Sequence, residues 1–140
     1  MQPHWHAYTA TSNLEERPHP DERWPGTAAF MSSRCAPGKT RHWLARPAGQ
    51  IVATFDDPEE AADWLVTEYG KIAEFCKFPA TEPLEERHAR ALRILADGED
   101  WEWEEGLLPA QHWTAAVVRC PNRRGDYPCP APAPPEAGTP

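Results

Sequence analysis

Long apolar runs are missing from this chain. Stretches such as Ala115-Ala116-Val117-Val118 fall far short of the roughly 20 residues that a membrane-spanning helix needs. The first residues, Met1-Gln2-Pro3-His4-Trp5, lack the basic stretch and apolar core of an export signal. No membrane association is therefore expected, and the expected location is cytoplasmic. Cysteine is sparse: Cys35, Cys76, Cys120 and Cys129 occur with no Cys-x-x-Cys spacing, so the ordinary zinc and thioredoxin signatures are absent. In a reducing compartment these four are expected as free thiols, with Cys120–Cys129 the one local bridge to consider under oxidising conditions. A glycine-rich phosphate loop, a Gly-x-Ser-x-Gly elbow and a His-Glu-x-x-His pair are also lacking, so no cofactor is implied.

What is abundant is proline, tryptophan and acid. Seventeen prolines exclude long uninterrupted elements, and seven tryptophans are many for 140 residues. The net charge of −8 is concentrated: residues 57–105 hold fifteen acidic and five basic side chains. That balance argues against direct binding to a nucleic-acid backbone, which calls for a basic surface.

Along the chain, His4–Thr11 alternates with the period of a strand, Trp5, Ala7 and Thr9 on one face and His4, His6 and Tyr8 on the other. Residues 13–26 read as a long charged loop with room for one helical turn, and 27–34 as a further strand. Residues 40–55 read as a β-hairpin around Arg46-Pro47-Ala48-Gly49, with Trp43 in the same core as Ile51 and Phe55. A helix then starts at Asp56 or Asp57, with Pro58 in its first turn. Its inner stripe is Ala61, Ala62, Leu65, Tyr69, Ile72 and Cys76, and Glu60, Asp63, Thr67, Lys71 and Glu74 lie outside. A second helix is expected over 82–97, capped by Thr81 and ended by Gly98, with Leu84, His88, Ala91, Leu92 and Leu95 inward and a Glu86–Arg90 pair outward. Trp101–Glu104 and His112–Cys120 read as strands. This order of strands and helices predicts an α+β domain over residues 1–120: a small, mostly antiparallel sheet of about five to six strands packed against two helices. Residues 121–140 read as a flexible proline-rich tail.

Three segments share the pattern His-Trp-x-Ala, at His4, His42 and His112. On a strand the Trp and Ala share a face, so the tryptophans read as core anchors. The histidines His4, His6, His42 and His112 then become candidate metal donors, able to leave a coordination position open for water if their strands were neighbours in register. The run Trp101-Glu102-Trp103-Glu104-Glu105 reads as an edge strand. Its carboxylates could alternatively serve as an acid–base pair or, with the tryptophans, as a recognition surface. His88 reads as a hydrogen-bonded core residue of the second helix, and Arg124-Gly125-Asp126 is too short to carry meaning.

The expectation drawn from these features is a non-enzymatic interaction module. Glu60, Asp63, Glu74, Glu102, Glu104 and Glu105 would meet a basic protein surface, in one variant by imitating nucleic-acid phosphates. The alternative is a small enzyme dependent on a metal at the histidine face or on carboxylates at Glu102 and Glu104.

Overall fold

The computed structural model describes residues 2–131. Its centre is a four-stranded antiparallel sheet of order β2-β1-β4-β3, built from β1 (His4–Asn13), β2 (Ala53–Phe55), β3 (Trp101–Leu107) and β4 (Gln111–Cys120). β1 and β4 pair over ten residues, from His4 opposite Cys120 to Asn13 opposite Gln111. Four strands thus stand where five to six were expected, in an α+β fold.

The two missing strands have become helical turns. Residues 27–34 hold a short helix, α2 (Ala28–Ser32), because the Thr27 hydroxyl accepts the Phe30 N–H at 3.1 Å and caps it. Before it, the expected turn within 13–26 is α1 (Pro20–Arg23). Residues 40–45 form a 3-10 helix instead of the first arm of a hairpin. His42, Trp43 and Leu44 are buried in succession, which an alternating strand with one wet face does not allow. Arg46 fixes this turn. Its guanidinium is buried, donates to the carbonyls of Cys35 at 2.6 Å and Glu22 at 2.7 Å, and stacks over Phe30 and Trp43. β2 pairs with β1 instead of 40–46.

The helices expected on one face of the sheet are there. In α3 (Pro58–Ile72) Asp57 accepts the Glu59 N–H at 2.8 Å, and Ala61, Ala62, Leu65 and Tyr69 are buried. α4 (Leu84–Ala96) begins at Pro83 with no side-chain cap, so Thr81 does not play the role expected of it. Gly98, at φ +89°, supplies the left-handed turn that follows α4. Arg90 pairs with Glu82 at 2.7 Å instead of Glu86. Between these helices and the sheet lies the first core, with Trp5, Leu65, Tyr69, Leu95, Trp103 and Trp113.

The opposite face is covered as well, which is why β4 is buried without interruption from Trp113 to Val118. A second core there holds Tyr8, Ala10, Trp43, Leu44, Ala116, Val118 and Cys120. Trp43 and Ile51 belong to this core, while Phe55 belongs to the first, so the single core expected to unite them is split by the sheet. Of the stretch read as a flexible tail, residues 121–131 lie against the fold: Tyr127 and Cys129 pack on the second core, and Arg124 pairs with Glu99 at 3.0 Å. Residues 132–140 lie outside the described residues.

Candidate metal centre

The alternation of β1 puts His4, His6 and Tyr8 on the face away from α3 and α4. The β1–β4 register sets Cys120 directly opposite His4. The chain then leaves the sheet, turns back, and brings Cys129 over the same spot. His4, His6, Cys120 and Cys129 each present a ligand atom there, all within 4.8 Å of one another. His6 and Cys120 are buried, whereas His4 and Cys129 are half-buried.

The cluster holds more close contacts than its protons can fill with hydrogen bonds. His4 Nε2 lies 3.2 Å from His6 Nε2 and 3.5 Å from Cys129 Sγ, and His6 Nε2 lies 3.4 Å from Cys129 Sγ. These three atoms form a closed triangle of contacts. His4 Nδ1 donates to the Gln2 carbonyl at 3.0 Å, and a carbonyl can only accept. Neutral His4 therefore presents a bare lone pair at Nε2. Only His6 and the Cys129 thiol can bring protons, so at most two of the three contacts can be hydrogen bonds. A cation at the centre satisfies all three at once. Nitrogen at about 2.05 Å and sulfur at about 2.3 Å from a tetrahedral ion stand about 3.3 Å (N–N) and about 3.6 Å (N–S) apart, close to the spacings here.

A ring of outer contacts orients the imidazoles. His6 Nδ1 is 2.9 Å from the Thr54 hydroxyl on β2, which leaves Nε2 to face the cluster. Burial, and then the neighbouring His4, lowers the His6 pKa to about 4, so the ring is held neutral, as a ligand must be. Burial and the adjoining Cys129 push the Cys120 thiol up to about 12. Burial, then Cys120 and Cys129, also hold the Tyr8 phenol above its usual pKa. Its hydroxyl is buried without a hydrogen-bond partner among the described residues. A bound cation would reverse the effect on the thiols, stabilising thiolates and releasing their protons.

The other candidate residues lie elsewhere. His112 sits at the far end of β4, opposite Ser12, eight residues from Cys120 and so roughly 26 Å away at strand rise. It lies 3.9 Å from Glu104. His42 is buried in the 3-10 turn between the rings of Trp24 and Tyr127. Burial, and then Arg41 and Lys39, lowers its pKa. The four histidines thus do not share one site: His4 and His6 join two cysteines instead. Cys120 and Cys129 escaped the sequence reading because their spacing matches no short zinc motif. The available signal was His-x-His on a strand, which places two imidazoles on one face.

The acidic residues are also divided. Glu60 and Asp63 lie on α3, where Asp63 meets His88 Nε2 at 2.7 Å, and Glu74 follows in the turn beyond α3. Glu102 and Glu104 leave β3 on the face away from the helices, while Glu105 accepts from Arg87 at 3.0 Å on the helix side. Arg87 also stacks over Trp103 and Tyr69. Trp103 is buried in the first core and Trp101 packs against it, and both rings also line a surface cavity with Glu82, Glu102, Glu104, Arg87 and Arg90.

Comparison with family models, curated proteins and solved structures returned no match for this chain.

Proposed function

We propose that this chain is a zinc-binding module, with His4, His6, Cys120 and Cys129 as the four ligands of one structural ion. The observation that carries the reading is the triangle of His4 Nε2, His6 Nε2 and Cys129 Sγ, 3.2–3.5 Å on each side, in which hydrogen bonds can fill only two edges. Two imidazoles and two thiols gathered within 4.8 Å of one another suit zinc over the oxygen-seeking alkaline-earth ions. Four protein ligands would complete a tetrahedron and leave no position for substrate, so the ion's role is structural on this reading. The ion's task is mechanical: it ties the segment after β4 to the start of β1 and closes the second core. A basic protein partner would meet Glu60 on the outer side of α3 and Glu74 in the turn beyond it, and its binding would weaken with salt.

The test is metal analysis of the untagged chain purified from zinc-supplemented medium, followed by cobalt substitution. One zinc per chain is expected, together with a Co2+ spectrum showing tetrahedral ligand-field bands and thiolate-to-metal charge transfer. Substoichiometric metal with an octahedral cobalt spectrum would overturn the proposal.

A further inference from the structure

The edge strand β2 is only three residues long, and Thr54, its middle residue, is exposed. Its backbone stands opposite His6 in the β1–β2 register, and its hydroxyl reaches the buried His6 ring at 2.9 Å from Nδ1. An exposed threonine on an edge strand has water available on one side, so its hydroxyl has no need of a histidine partner. The histidine, in contrast, has no other hydrogen-bond partner for Nδ1 among the described residues.

We infer that Thr54 is a positioning residue for the metal centre, accepting the His6 Nδ1–H and so fixing both the tautomer and the rotation of that ring. This rests on the zinc-binding reading above. The chemistry is restrictive. His6 Nε2 is the atom aimed at the cluster, and it ligates only if it carries no proton. In neutral imidazole the proton must then sit on Nδ1, where it needs an acceptor. A hydroxyl can accept, and the pairing of β1 with β2 holds this one in place. The Gln2 carbonyl does the same for His4 at 3.0 Å, so each imidazole has its own oxygen acceptor behind it. Outer acceptors of this kind raise the basicity of a ligating imidazole and hold its plane toward the ion. The assignment also gives β2 a role in the site, although it contributes no ligand.

The experiment compares the full-length wild type with Thr54→Val and Thr54→Ser. Valine keeps the β-branched shape that suits a strand but has no acceptor, and serine restores the oxygen. Zinc affinity is measured at one pH by competition with a chromophoric chelator. The zinc-loaded proteins are then examined by proton–nitrogen NMR for the His6 Nδ1–H. Thr54→Val is expected to bind zinc about 10- to 100-fold more weakly. Its Nδ1–H signal should be lost to exchange, while Thr54→Ser keeps both affinity and signal. The metal-free valine variant should still fold, its melting lowered only by the lost partner of the buried His6 Nδ1. If valine leaves affinity and signal intact while the wild type binds zinc, Thr54 has no positioning role. If the metal-free valine variant melts low enough to account for its weaker binding, Thr54 acts through the strand and the inference is again overturned. Failure of the wild type itself to bind zinc would instead strike the zinc-binding reading.

Discussion

Cys129→Ala separates a metal clip from ordinary packing, because the same substitution carries two different costs. Without metal, the change removes one half-buried sulfur from a segment that Tyr127 and the Arg124–Glu99 pair also hold. That should cost about 1 kcal/mol or less. With free zinc buffered about 1,000-fold above its dissociation constant, a ligand that binds only the folded chain adds about 4.1 kcal/mol. For a chain of this length that corresponds to a melting temperature roughly 12–16 °C higher, at about 3–4 °C per kcal/mol. The three-donor variant should lose most of that rise. The assay is a thermal melt followed by circular dichroism, with and without buffered zinc, for wild type and variant. Hydrogen exchange over residues 121–131 serves as the local readout. Exchange there should slow on zinc addition only in the wild type. Equal zinc responses in the two proteins, or a wild type whose melting ignores zinc, would refute the reasoning.

Other consequences follow from residues already placed. His112→Ala, roughly 26 Å from the cluster along β4, should leave zinc affinity unchanged, and a loss of binding would mean that the donor set is wrong. Leu65→Ala should cost about 2–5 kcal/mol in a urea melt, since Leu65 is fully buried in the first core. Glu74→Ala, on the exposed turn beyond α3, should cost under about 0.5 kcal/mol, and equal losses would contradict the burial of Leu65. Glu102→Gln should stabilise the fold at neutral pH. Burial and then Glu104 raise the Glu102 pKa, so its contribution is present below the ordinary carboxyl pKa of about 4.3 and declines as pH rises through the folded value. The advantage of glutamine over wild type should therefore shrink on acidification, and urea midpoints at neutral and acidic pH check that sign.

The residues that settle their own conformation were legible in the sequence. Asp57 and Pro58 start α3, Gly98 supplies the left-handed turn after α4, and the period-two pattern of β1 separates Trp5 from His4 and His6. Each of these depends on neighbours a few residues away, which is the range over which caps, turns and periodicity act. The parity of His4 and His6 was therefore readable, but their partners were not. Whether His4 meets Cys120 or another residue depends on the register of two strands more than a hundred residues apart. In the register found, Trp113 to Val118 are buried on both faces, so alternation along β4 could not have revealed it. Local pattern misled where tertiary burial outweighed it. His42, Trp43 and Leu44 resemble half of a hairpin, yet all three are buried, held in a 3-10 turn beside the guanidinium of Arg46. Cys129 is the clearest case: nothing near it in sequence distinguishes it from a solvated proline-rich stretch. Only the return of residues 121–131 across the sheet, closing the second core, brings its sulfur within 3.5 Å of two imidazoles.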